Sequence, residues 1–461
     1  MPKNDFTLEV PQGHSRRLII GWLSLALASL VIAGLFTILI VLSRTPFFHQ
    51  IIPWVDFFKT ALVVHVDMTV LVWFLAFAGV FWSLMSRGRC CGWLALVLAI
   101  IGTFVMSSAP FFGEGYPLMN NYVPVLQQPI FLVGLAIFGL GFTALVLHSL
   151  VNTLFIGDKA YLVEGDGRSE GAKALRFGLL TAMLTALFAI MALVWSYVGI
   201  PFGMESGQSY YEMLFWGGGH VLQFTHTQLM LVAWLWLATV SGMTLSINPR
   251  IVIILFVLGM APALLTPLIY FAYEVGSAHH VIAFTWQMQY GGGLAALPLA
   301  LVILWGLVKG ASVTTTAPAE RSALVFSILL FGVGGLIGFM IRDSNVTIPA
   351  HYHGSIVAVT IAYMGITYHL MPRLGFREVS GKWAKWQPTI YGSGQLLHVL
   401  GLAWSGGHGI ARKTAGEAQG LEGFQQVAAM GLVGLGGLIA IIGVVIFLVV
   451  ILVAMRPMKS Q

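Results

Sequence analysis

The sequence predicts an all-α, polytopic membrane protein with twelve transmembrane helices and both termini on the cytoplasmic side. Composition is the first ground: 461 residues, 58% hydrophobic and 9% charged, with a mean hydropathy of +0.89, carry more apolar surface than a soluble fold can bury. The second is the number of long apolar runs, and the third is the charge of the loops between them.

Runs of about 20 apolar residues, enough to cross roughly 30 Å of hydrocarbon, occur twelve times. They lie near Leu18 to Leu42, Phe57 to Leu84, Gly92 to Ala109, Ile130 to Leu154, Phe177 to Val198 and Met213 to Gly242. The second half supplies Ile251 to Phe271, Val281 to Leu307, Ser322 to Ile341, Asn345 to Leu370, Trp386 to Trp404 and Val427 to Met455. With both termini inside, 18 of the 23 Lys and Arg fall on inner segments. The outer five are Arg44, Lys59, Arg342, Arg412 and Lys413. A merged or split span would scramble this bias, so it supports the count. The net charge of +6 is therefore a topology signal, and no nucleic-acid partner is expected.

The first run is too long for a signal-peptide core and lacks a cleavage pattern, so it is expected to remain as a span. Adjacent Cys90 and Cys91 cannot make a disulfide framework or a Cys-x-x-Cys-His haem attachment site. No internal repeat or soluble segment stands out, and residues 1–461 read as one domain. The stretch from Gly113 through Asn121 reads as a turn-rich outer cap.

Topology gives each histidine a depth at about 1.5 Å per residue. His65, His220 and His353 each lie roughly 12 Å below an outer span end, with His351 slightly shallower. His279 and His280 stand at the outer junction of the seventh and eighth spans. A lone intramembrane histidine is usually a packing residue; six in one layer demand partners. In Ile348-Pro-Ala-His351-Tyr352-His353-Gly354 the two imidazoles point about 200° apart on one helix, so one helix can hold two different cofactors. One face could pair His353 with His65 as axial ligands of a low-spin haem, and the other would present His351 to a high-spin haem with an open distal side. Across that opening, His220, His279 and His280 suit a non-haem metal, copper or iron. His226, His369 and His398 are placed at mid-depth or toward the inner side as core residues.

These residues resemble the catalytic subunit of the haem–copper oxidase superfamily, which includes nitric oxide reductases. The resemblance covers essentially the whole chain: twelve spans, a histidine in the second and sixth, His-His after the seventh and His-x-His in the tenth. It implies two haems, held by His65 and His353 and by His351, and a second metal on His220, His279 and His280. It also implies a haem-propionate role for basic residues outside the eleventh span, where Arg412 and Lys413 lie.

The branch rests on neighbouring residues. Mitochondrial-type oxidases carry a tyrosine four residues after the sixth-span histidine, and the well-known nitric oxide reductases a glutamate. Here the run is His220-Val-Leu-Gln223-Phe224, which has neither. The C-type oxidases take their cross-linked tyrosine from six residues before the His-His pair, and Tyr273 falls there. A phenol supplies an electron and a proton together, which dioxygen cleavage requires, so Tyr273 favours dioxygen over nitric oxide. Gln223, one turn from His220, resembles the substitutions of divergent nitric oxide reductases and supports that alternative.

The inner halves of the sixth and eighth spans offer Thr239, Ser241 and, nearer mid-membrane, Thr225, His226, Thr285 and Gln289, without lysine or carboxylate. The outer side carries Glu114, Glu205, Glu212, Glu274 and Asp343, either solvated loop acids or proton donors from outside. With no covalent haem motif and no copper-thiolate pattern, the chain needs an electron-donating subunit carrying cytochrome c or a copper centre. A bacterial plasma (inner) membrane is the expected location, with the metal sites nearer the periplasmic side. The opposing class, a transporter, would place broken helices and a substrate site at the midplane, whereas these histidines share an outer layer.

Overall fold

The computed structural model describes residues 5–43, 57–85, 90–113, 115–156, 169–204, 206–243, 245–309, 315–412, 421 and 423–456. Twelve long helices carry almost all of them. They are α1 (His14–Ser43), α2 (Phe57–Val66, Asp67–Val72 and Trp73–Ser83 in succession), α3 (Cys90–Ser108), α4 (Pro129–Val151), α5 (Glu170–Gly199) and α6 (Gln208–Val240). The second half continues with α7 (Pro249–Ala272), α8 (Ala278–Lys309), α9 (Pro318–Gly338), α10 (Thr347–Arg373), α11 (Lys382–Gly407) and α12 (Phe424–Ala454). Between α3 and α4, β1 (Tyr116–Leu118) pairs antiparallel with β2 (Val125–Gln127), so the turn-rich cap is a hairpin.

Eleven of these helices are long and apolar enough to cross a membrane. The exception is α11, the expected eleventh span. Lys382, Lys385, Gln387, Gln395 and His398 lower its hydropathy, yet it packs extensively against α9, α10 and α12. Lys382 and Lys385 are exposed at its inner end, whereas buried Gln387 donates to the Gly443 carbonyl at 3.2 Å and accepts from Tyr368 at 2.8 Å. A hydropathy scale counts a residue such as Gln387 as costly, but inside the bundle it is satisfied.

Helix starts follow local chemistry. Ser169 caps α5 by accepting from Ala172 N, Asn248 caps α7 through Arg250 N, and Ser277 caps α8 through His280 N. Within α7, Pro262 interrupts the helix with a tighter turn over Ala261–Leu265. Gln287 of α8 donates to the Pro262 carbonyl at 2.9 Å, satisfying backbone that lipid could not.

Burial ranks the helices. The most apolar stretches of α10 and α6 are 89% and 83% buried, against 28% for α12. The two central helices are thus the ones that carry His351, His353 and His220. Parallel α2 and α10 meet at Phe77 and Tyr363, whose rings stack at 4.3 Å and 8°. Counting back twelve residues to His65 and ten to His353 puts those imidazoles at nearly the same level of the bundle.

Candidate haem and metal centre

Five imidazoles share one geometry. His65 Nδ1 donates to the Ala33 carbonyl at 3.0 Å, beside the Thr37 hydroxyl at 3.0 Å. His351 Nδ1 donates to Gly334 O of α9 at 2.8 Å, His353 Nδ1 to Pro349 O at 2.8 Å, and His220 Nδ1 to Trp216 O at 2.8 Å. His398 does the same to Val433 O of α12 at 2.9 Å. A carbonyl on Nδ1 fixes the tautomer and leaves Nε2 as the lone-pair nitrogen, the arrangement metal-bound histidines use. Glycine makes one of these contacts: a Cβ on Gly338 would lie 2.7 Å from His351 Nδ1.

The opposed faces of α10 behave as the 200° separation requires, with His351 bonded to α9 and His353 packed elsewhere. The His353 ring contacts Tyr352 at 4.9 Å and His398 at 5.1 Å. His398 is placed by the sequence at mid-depth or toward the inner side, outside the histidine layer. It instead sits nine residues below the end of α11 at Gly407, about 13 Å, which is the level of the other histidines. By contrast His369 accepts from Trp236 Nε1 at 3.1 Å, and His226 packs edge-on to Phe74 at 4.9 Å.

His220 and His280 both pack against Phe284, at ring distances of 6.1 and 5.0 Å. His280 is fully buried, and neither of its ring nitrogens has a hydrogen-bond partner. Such an orphaned imidazole suits a metal ligand. His279, one step away and hence about 100° around the helix, is exposed and stacks on Tyr273 at 5.6 Å and 17°. The expected three-histidine cluster is therefore not assembled: among the described residues no three His, Cys, Asp or Glu side chains gather around one point. Two of the three residues fit a second metal as they stand.

Tyr273, 40% exposed at the end of α7, touches His279 and not His220. The phenol against His220 is Tyr122, from the six-residue hairpin loop. Its hydroxyl accepts from Gln223 Nε2 at 3.2 Å. Burial pushes this phenol's pKa up, the Gln223 hydrogen bond opposes that, and the Glu212 charge adds to it. Nearby, a cleft of about 260 Å³ runs between Asn121, Glu212, Trp216, Gly276 and His280. Glu212 accepts from Asn121 at 2.9 Å and Gln208 at 3.1 Å, and Arg412 donates to Asn121 at 3.0 Å. Lys413, Glu114 and Glu205 lie outside the described residues. The hydroxyls of Thr239, Ser241 and Thr285 bond carbonyls four residues earlier, and Thr225 pairs with Thr185 at 3.0 Å.

Asp67 went unnoticed inside an apolar run. It is 1% exposed, opens the π-helical turn Asp67–Val72 just after His65, and neither carboxylate oxygen has a partner. π turns favour functional sites, and a polar residue in a span signals one. Removing the orphaned acceptors in Asp67→Leu is expected to stabilise the fold by about 1–3 kcal/mol. Thermal unfolding in detergent checks this, and an unchanged or lower Tm would show that the carboxylate is satisfied.

Residues 17–439 match the family described as Cytochrome C and Quinol oxidase polypeptide I. The chain is 28% identical over 473 residues to an uncharacterized protein of Rickettsia prowazekii (strain Madrid E), covering 87% of this chain and 89% of that one. It is 30% identical over 371 residues to an uncharacterized protein of Aquifex aeolicus (strain VF5), covering 80% and 88%. Among solved structures, the cryo-EM structure of a heme-copper terminal oxidase dimer shares the fold with a TM-score of 0.70 at 16% identity, over 98% of this chain and 86% of that one.

Proposed function

The chain belongs to the Cytochrome C and Quinol oxidase polypeptide I family, the catalytic subunits of haem–copper oxidases, and from that premise we propose that it is the catalytic subunit of a respiratory terminal reductase that reduces dioxygen to water. It is an integral membrane oxidoreductase of that family, and residues 1–461 act as one domain. The observation that carries the site is the set of carbonyl-anchored imidazoles together with buried, unpartnered His280.

His65 and His353 would hold a low-spin haem, His351 a high-spin haem, and His220 and His280 a copper or iron ion, with His279 as third ligand once its ring leaves Tyr273. When bound, these groups supply an electron relay and a pair of metal centres with open positions for a diatomic gas. The residues set tautomers and hold the rings. Glu212, on the cleft that reaches His280, is the acid best placed to pass protons from the outer side. Arg412, tied to Asn121, is placed to meet a haem propionate. Electrons come from a partner subunit carrying cytochrome c or a copper centre, in a bacterial plasma membrane with this site toward the periplasm.

Dioxygen is favoured by Tyr273, six residues before the His279-His280 pair, where the C-type oxidases carry their cross-linked tyrosine. Nitric oxide reduction is the second reading, favoured by Gln223 at the sixth-helix position. Steady-state assays with both gases on wild-type and Tyr273→Phe protein separate them. The substitution keeps the ring and deletes the hydroxyl, so it is expected to remove most dioxygen reduction and spare nitric oxide turnover. Wild-type dioxygen rates in the variant would move nitric oxide ahead.

A further inference from the structure

The loop between β1 and β2 places Tyr122 far from any ligand in sequence and against one in space. Its ring lies 4.8 Å from that of His220 and 5.9 Å from Trp216, and Trp216 itself lies 4.7 Å from His220, so the three rings form one cluster. The α6 backbone is cut away to admit it: a Cβ on Gly219 would lie 2.2 Å from Tyr122 Cγ. The tip is also held from both flanks. Asn120 donates to Val123 O at 3.2 Å, and Asn121 joins Glu212 of α6 to Arg412 beyond α11.

The Trp216 carbonyl fixes which His220 nitrogen carries the proton, but one hydrogen bond leaves the imidazole free to swing. Rings packed on it remove that freedom before any ion arrives, and such preorganisation sets metal affinity. We propose that Tyr122 is a positioning residue of the second-metal site, clamping the His220 imidazole with its ring and holding the Gln223 amide with its hydroxyl. The proposal rests on the assignment of His220 to that metal and deepens it: the outer hairpin becomes part of the site, coupled through Asn121 to Arg412.

The test uses full-length, haem-loaded protein purified from copper-depleted cells and dialysed against graded copper(II). Tyr122→Leu removes ring and hydroxyl and is expected to weaken copper binding by roughly 10–100-fold. Gly219→Ala, which expels the ring while leaving Tyr122 in the sequence, should do the same and guards against misfolding of the first variant. Tyr122→Phe restores the ring and should return the affinity to near wild type. It should also shift the infrared stretch of bound carbon monoxide as Gln223→Leu does, with no further shift in the double variant. Wild-type affinity in Tyr122→Leu and Gly219→Ala, with binding lost in His220→Ala, would overturn the clamp and leave the metal assignment standing. Tyr122→Phe as weak as Tyr122→Leu would overturn the role of the ring. Full copper binding by His220→Ala would instead remove the assignment itself, and the proposal with it.

Discussion

Replacing His353 or His65 by alanine is expected to abolish the low-spin haem spectrum while the high-spin haem stays bound. The two imidazoles stand at one level on parallel helices, each with Nδ1 committed to a carbonyl, at Pro349 and Ala33, so each keeps one nitrogen for the iron they are proposed to share. His351 is anchored to another helix through Gly334, and truncating His353 leaves that bond untouched. Haem content by pyridine haemochrome and reduced-minus-oxidised absorption give the answer. Loss of the high-spin signal in His353→Ala, with the low-spin signal intact, would reverse the assignment of the two faces of α10.

Turnover should vanish in His220→Ala and in His280→Ala, with second-metal content falling and both haems retained. Neither residue shares a hydrogen bond with the three haem histidines, and their helices meet through Phe284 and the Trp216 indole, which donates to Val281 O at 3.2 Å. Removing one imidazole should therefore open the metal site without unseating a haem. His279→Ala is expected to lose the metal as well, which requires its ring to leave Tyr273 when the ion binds. Metal retained in that variant would assign the site to His220 and His280 with a different third donor. Elemental analysis beside haem stoichiometry reads all three.

The architecture was legible because lipid imposes it: long apolar runs and loop charge follow from the solvent, and the divergence of His351 and His353 follows from helix pitch alone. Only α11 strained the hydropathy rule, since its lysines lie exposed at the inner end and its buried Gln387 is answered by neighbours that a one-dimensional scale does not see. The site was legible as far as helical depth could carry it. His398 shows the limit, because its ring meets that of His353 across two helices, and depth along a single helix does not say which rings meet. The direction of His279 is fixed by the start of α8 at the Ser277 cap, where a single residue step turns a side chain by about 100°. Tyr122 meets Gln223 across 101 residues of chain from an irregular loop, and no periodicity marks such a contact. Its one local trace is Gly217-Gly-Gly219 before His220, a run that costs helix stability and so needs a reason, here the close approach of a ring. Asp67 was readable as a carboxylate two residues after a proposed ligand; the surrounding apolar run hid it.

Two haems in different coordination states beside a second metal are proposed for one chain. Titrating the reduced, purified protein with carbon monoxide while measuring haem content is expected to give two haems per chain, one that binds the gas and one that stays six-coordinate and does not. A single haem per chain, or two that both bind carbon monoxide, would rule this arrangement out.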